Sequence, residues 1–457
     1  MKANTLCKIS VILLFLTPAF GYSQDYQKTV DTIFEEALSN GEVYGNLEYL
    51  CKEVGNRLSG SPGAAAAVEY TRALMIDYGF DTVYLQPVMV PNWKRGQKEI
   101  LTINQSSIGS FSLKSLALGN SVGTGALGLS AQVIEASGME ELEKLGKQVE
   151  GKIVFLNGKM NAANYRTFKA YGNAVVQRAY GASEAAKYGA KAVIVRSITQ
   201  ANDDTPHTGS LRYKPNITRI PAVAISTNDA DLLSSLLSKS TLSVYLETHC
   251  EMKADILSHN VIGQINGSDG DKYIAAGGHL DSWDVGEGAH DDGSGCMQGI
   301  EALRLLKEIG YQPKNNLRAV MWMNEENGGA GGRGYADAAL KLKEKHLAAL
   351  ESDRGGFLPI GFTSSGVEEQ QAIFKSFATY FKKWGLHDFE QSGGGADIGP
   401  LAQQETFLVG LLPDGQRYFR YHHTPADVFE TVDRRELEMG AAAMASMMML
   451  IDQTGLN

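Results

Sequence analysis

The residues best suited to chemistry lie in the second half of the chain. In GGHLDSWDVGEGAHDDGSG (277–295), His279 stands twelve residues before an adjacent pair, Asp291–Asp292. Glu325 and Glu326 follow the apolar run LRAVMWMN, Asp353 follows HLAALES, and His422 and His423 follow QRYFRY. A single imidazole or a single acidic pair has little meaning, since such pairs are ordinarily solvated surface groups. An ordered series, each member at the end of an apolar run, is the ligand pattern of a metal centre. Zinc takes imidazole and carboxylate ligands near-tetrahedrally, and a catalytic zinc keeps a position open for water. Two ions ~3.5–4 Å apart need a carboxylate able to touch both and terminal ligands for each. His279, Asp291, Glu326, Asp353 and His423 are the candidate ligands. Glu325 is then left as a general base for the metal-bound water. Asp281, two residues past His279, is placed to hold the imidazole by its other ring nitrogen.

Several neighbours read differently. Asp292 is expected to be structural and His290 to sit on the rim. His207, His249, His259, His346 and His387 lack matching acidic company and read as surface or core histidines. The glycines 393–395 form either a plain loop or a path for substrate backbone near the metals. GGAGGRG (328–334) imitates a nucleotide loop but lacks the Lys-Ser/Thr of a phosphate loop and the context of a dinucleotide site.

The elements that carry these residues alternate. KYIAAGG reads as a buried strand ending at His279, LRAVMWMN as one ending at Glu325, and TFLVGLLP as one before the histidine pair. Cys296, Ile300, Leu303 and Leu306 mark a helix face after the aspartates, and a helix over 434–451 closes the chain. This alternation predicts an α/β fold, a mainly parallel central sheet with helices on both faces, with sites beyond the carboxyl ends of the strands. Upstream, residues 25–121 open with helical spacing. TVYLQPVMVPNW alternates as a strand whose prolines confine it to an edge. Residues 122–252 change texture: AQVIEAS, GKIVFLN, KAVIVRS, PAVAIS and LSVYLET are short strands, with one clear helix at 184–188. No candidate ligand falls there, so this stretch reads as a domain inserted between catalytic parts 25–121 and 253–457.

A chain of 457 residues exceeds what one core usually supports. Its net charge of −10, without a polybasic run, argues against nucleic acid and anionic membrane surfaces as partners. Lys2 and Lys8 precede a short apolar stretch followed by GYSQ, which reads as a signal peptide over residues 1–24 and places the protein outside the cytoplasm, secreted or periplasmic. The stretch is too short for a membrane span. Cys51, Cys250 and Cys296 then remain, no disulfide framework, with a Cys51–Cys250 pair left open and Cys296 read as a small core residue. The sequons at Asn104, Asn216 and Asn266 matter only in a eukaryotic secretory pathway.

With these residues in hand, the chain resembles the M28 family of co-catalytic zinc exopeptidases, in particular its carboxypeptidase Q (plasma glutamate carboxypeptidase) branch. The resemblance is carried by 277–295 together with WMNEENGGAGG, LESDRG, SGGGADIGPL and YHHTPADVFETVD, in that order, and covers nearly the whole mature chain. It implies a zinc exopeptidase fold with a protease-associated (PA) insert at 122–252. It also implies two zinc ions bridged by Asp291, with His279 and Asp353 on one and Glu326 and His423 on the other. Glu325 is then the base, and the Asp291–Asp292 peptide is cis. The family histidine is usually followed by Thr or Ser, which favours His423 over His422. His422 takes a position that can hold an oxyanion-stabilising tyrosine in related enzymes, so its ring N–H is a candidate catalytic donor. Arg354 and Asn324 are departures that put unusual polar side chains beside the site.

The implied activity is hydrolysis of short peptides, dipeptides above all, by a hydroxide bridging the metals, with Glu325 passing its proton to the leaving amine. A homodimer is compatible with the resemblance. Competing readings are an aminopeptidase on longer peptides, a one-zinc glutaminyl cyclase, which need not keep five ligands, and a receptor-like module with a dead site, which need not keep the base.

Overall fold

The computed structural model describes residues 26–105 and 109–456; the signal-peptide reading of residues 1–24, and with it Cys7, lies outside them. The first of two sheets contains β1 (Thr82–Lys94), β2 (Glu251–Ile265), β3 (Lys272–His279), β4 (Asn316–Trp322), β5 (Lys345–Glu351), β6 (Pro359–Ser365) and β7 (Phe407–Pro413). Their spatial order is β1-β2-β4-β3-β5-β7-β6. The four strands β4, β3, β5 and β7 run parallel, whereas β1 on β2, β2 on β4 and β6 on β7 pair antiparallel. The sheet is therefore parallel at its centre only. The centre is where it matters, because parallel strands point all their carboxyl ends at one edge. β1 is an edge strand, as Pro87 and Pro91 require.

Successive residues of a strand face opposite sides, and here both sides are buried. Ile274 and Ala276 of β3, Ala319 and Met321 of β4, and Leu350 of β5 enter one apolar core, while Ala275, Val320 and Ala349 enter another. The first core is covered by α1 (Tyr26–Asn40), α2 (Pro62–Asp77), α3 (Ser294–Glu308) and α5 (Arg434–Thr454), the second by α4 (Ala330–Leu342). Local sequence fixes two of the helix starts. The Ser61 hydroxyl accepts from the Ala64 N–H, with Pro62 in the first turn, and the Asp433 carboxylate accepts from the Glu436 N–H.

The second sheet has eight strands and begins at Ile100, not at residue 122. Ile100–Gln105, Gly109–Leu113 and Ser115–Ala117 pair into it alongside the five strands read from sequence. Where one helix was expected there are four: Met139–Leu145, Thr167–Ala174, Val176–Lys187 and Thr227–Leu237. Small residues blur the periodicity of these helices; Gly181, for instance, seats against the Leu156 side chain. Phe357, Tyr418 and Phe419, from the ligand-bearing half, complete this unit's own apolar core. Cys51, Cys250 and Cys296 are buried and free, so no Cys51–Cys250 disulfide forms. Among the described residues no helix is long and apolar enough to cross a membrane.

α3 can lie against β3 because Gly299 meets Gly277 there; a Cβ on Gly299 would stand 2.7 Å from the Gly277 Cα. Backbone on both sides leaves little room to yield. Gly299→Ala should therefore lower stability by about 1–3 kcal/mol despite alanine's better helix propensity, read as a lower urea midpoint. A midpoint equal to or above that of the parent would show that α3 and β3 are not so closely apposed.

Candidate metal centre

Each ligand candidate sits where a central strand ends or where a loop returns to that edge. His279 is the last residue of β3, the Glu325–Glu326 turn follows β4, and Asp353 lies two residues beyond β5. Asp291 precedes α3, and His423 follows a short 3-10 turn, Tyr418–Arg420. The structure brings all five together. The His279 Nε2 lies 3.2 Å from Asp291 Oδ1 and 3.5 Å from Asp353 Oδ1. On the other side, the His423 Nε2 lies 3.3 Å from Asp291 Oδ2 and 3.1 Å from Glu326 Oε2. The two oxygens of one carboxylate thus face two different histidine–carboxylate pairs.

That geometry fits a pair of zinc ions. Ligand bonds of 2.0–2.1 Å in a tetrahedron place neighbouring donor atoms about 3.3 Å apart, close to the four separations above. Asp291 Oδ2 and Glu326 Oε1 are buried without a hydrogen-bond partner, an expensive condition that a cation relieves. Nearness alone also groups Asp292 with His279 and Asp353, and His422 with Asp291 and His423. Asp292 is otherwise engaged: its carboxylate accepts from the N–H groups of His279 (3.1 Å) and Gly295 (3.0 Å). The His422 Nε2 is 3.8 Å from Asp291 Oδ2, farther than His423, and its ring stacks on that of His423 at 3.5 Å between centroids.

The surrounding groups hold main chain. Asp281 does not hold the imidazole with its carboxylate, as expected from spacing. The His279 Nδ1 instead donates to the Asp281 carbonyl at 2.8 Å, while the carboxylate stays 3.9 Å away. The carboxylate accepts from the N–H groups of Asn324, Glu325 and Glu326, at 2.6, 2.9 and 3.3 Å, and so shapes the turn that presents both glutamates. Asn324 takes φ 75° there, a left-handed conformation that asparagine tolerates better than most residues. Asp427 accepts from the N–H groups of His290 (2.7 Å) and Asp291 (3.1 Å). Glu351 accepts from Ala396, Asp397 and Ile398. A Cβ on Gly395 would overlap that Glu351 carboxylate, which gives this glycine a packing reason. The Asp291–Asp292 peptide is cis.

Two contributions were invisible in the sequence. The His423 Nδ1 lies 3.3 Å from the carbonyl of Thr208, and 3.3 Å from an Arg178 guanidinium nitrogen, both from the inserted unit. That unit holds no ligand candidate but steadies one. His290, expected on the rim, is buried between Phe357 and Tyr421, 4.2 and 5.2 Å between centroids. His207 and His346 are buried, and His387 is exposed.

Comparison with known proteins now decides the family. The model of peptidase family M28 matches residues 260–448, and that of the PA domain matches residues 121–233. The chain is 34% identical to carboxypeptidase Q of Xenopus laevis and 32% identical to that of Homo sapiens, over 92% of this chain and 87% and 90% of theirs. This chain belongs to peptidase family M28. A peptidase M28 precursor from Shewanella amazonensis SB2B shares the structure over 93% of this chain and 96% of its own, at a TM-score of 0.88 and 32% identity. A zinc aminopeptidase from Bacillus subtilis shares the fold at a TM-score of 0.65 and 19% identity, over 89% of this chain and 93% of its own. The protein is thus an M28 metallopeptidase.

Charge in this M28 site is set for cations. Burial pushes Glu325 up to about 8 and Glu326 up to about 7, with neighbouring carboxylates adding to both. Burial also opposes charge on His423, but Glu326 and Asp291 raise it to about 9. The metal-free cluster therefore keeps protons that bound ions must displace. Metal affinity should rise as pH climbs through this range, because fewer protons then compete. The increase in melting temperature produced by zinc should be larger at pH 8 than at pH 6. Groups remote from the site cancel in this difference. Equal shifts at the two pH values would contradict the assignment of Glu326 and His423 as ligands.

Proposed function

We propose that this M28 enzyme is an exported two-zinc exopeptidase that hydrolyses short peptides, dipeptides foremost. One observation carries the reading: each oxygen of Asp291 faces its own histidine–carboxylate pair. His279 and Asp353 would complete one zinc, and Glu326 and His423 the other. When bound, such a pair polarises a scissile carbonyl and lowers the pKa of water. Glu325 is half-buried beside these residues and lines the same cleft without being one of the candidate ligands. Its carboxylate would take the proton of the attacking water and return it to the leaving amine. His422 also lines the cleft; burial and the adjacent His423 keep it neutral, and its Nδ1 has no partner. It is our candidate donor to the developing oxyanion.

The cleft measures about 1040 Å³ and is walled on one side by Phe168 and Tyr171 of the inserted unit. The N-terminal signal-peptide pattern supports export.

Three substitutions should separate the roles. Glu325→Gln should keep both zinc ions but lose roughly 10²–10⁴-fold in turnover of a dipeptide, whereas Glu326→Gln should lose zinc. His422→Ala should keep zinc and lower kcat about 10²–10³-fold with KM changed only a few-fold. Metal analysis beside dipeptide kinetics checks all three. Zinc loss in Glu325→Gln with retention in Glu326→Gln would reverse the two glutamates, and a fully active His422→Ala would remove the oxyanion role.

A further inference from the structure

Arg354 follows the ligand candidate Asp353 directly and lines the same cleft. It is half-buried, yet it makes no hydrogen bond or ion pair with any described residue, and its guanidinium carbon lies 5.1 Å from the centre of the Phe168 ring. The other arginines there are accounted for. Arg178 donates to the Tyr171 hydroxyl (2.6 Å) and the Thr208 carbonyl, Arg333 donates to the Gly328 carbonyl, and Arg212 is exposed. Nothing equivalent satisfies Arg354, although burial opposes its charge. A guanidinium Nη2 lies 3.6 Å from where a Cβ on Gly393 would stand, so the glycine loop 393–395 leaves room beside it. An arginine positioned by an aromatic face but left without an acceptor, in a cleft built for peptides, suits a ligand carboxylate that meets its planar fork with two hydrogen bonds.

Arg354 lines the same cleft as the ligand candidates Asp353 and Asp291. In a dipeptide the terminal carboxylate lies only one residue, roughly 3.5 Å, beyond the scissile carbonyl, so a cation in the cleft that holds the ligand candidates suits the terminal carboxylate of a short substrate. We propose that Arg354 receives the free C-terminal carboxylate of the substrate and so restricts the enzyme to peptides ending one residue after the scissile bond. The proposal deepens the dipeptidase reading and rests on it.

Binding tests it apart from turnover. In zinc-loaded Glu325→Gln enzyme, calorimetry would compare Ala-Ala, Ala-Ala amide and Ala-Glu amide. Ala-Ala should bind roughly 10–100-fold more tightly than its amide. Adding Arg354→Ala should abolish that difference by weakening Ala-Ala alone, and Arg354→Lys should restore part of it, with zinc content and melting temperature unchanged. Equal weakening of acid and amide, unchanged binding of Ala-Ala, or a selective effect on the Glu side chain of Ala-Glu amide would overturn the proposal. If the parent enzyme discriminates acid from amide through Arg354 yet turns over no dipeptide, the dipeptidase reading fails while the carboxylate site stands.

Discussion

Asp291 offers one oxygen to each of two histidine–carboxylate pairs, and the folded chain is arranged to keep that single side chain in place. Carboxylates gathered in a cleft with little water repel one another and lose hydration, so they persist only where cations or N–H groups compensate. The protein supplies the N–H groups. Asp427 takes those of His290 and Asp291, Asp292 takes those of His279 and Gly295, and Asp281 takes three from the Glu325–Glu326 turn. Arg57, fully buried, donates to the carbonyls of Leu280, Glu287 and Gly288 and ties down the loop between His279 and Asp291. The segments that carry His279, Asp291 and Glu326 are thus gripped through their main chain, leaving these candidate ligand side chains to face the centre.

The parallel strands explain why such a centre can exist. β3, β4 and β5 deliver His279, the glutamate turn and Asp353 to one edge. The histidine pair approaches from a loop that packs on the inserted unit through Tyr418 and Phe419, beside Phe357 of the segment after β5. The insert is therefore coupled to the site through this shared apolar core and through the Thr208 carbonyl and Arg178 at His423. The shape of the cleft and the placement of the candidate ligand His423 are linked by the same contacts.

Much of this was legible in the sequence, for a physical reason. Buried parallel strands are continuous apolar runs, and a polar residue ending such a run sits at the carboxyl edge; His279, Glu325 and Asp353 were found that way. What escaped was set by groups that spacing cannot reveal. A carbonyl such as that of Thr208 or Asp281 carries no residue signature, so spacing alone credited the Asp281 carboxylate with the contact its main chain makes. His290 is buried by rings of Phe357 and Tyr421, distant in sequence. Asp427 lay within the motif YHHTPADVFETVD, but nothing local marks it as an acceptor for the Asp291 turn. The second sheet begins at Ile100 because that strand pairs with Ser243–Glu247, a long-range match the change in texture near 122 did not signal.

The bridging role of Asp291 is tested most directly by zinc-edge anomalous diffraction from crystals of the zinc-loaded protein. Two peaks about 3.5–4 Å apart are expected, one at bonding distance from Asp291 Oδ1 with His279 and Asp353, the other from Oδ2 with Glu326 and His423. A single peak at full occupancy, or two of which only one contacts Asp291, would contradict the bridged two-zinc centre.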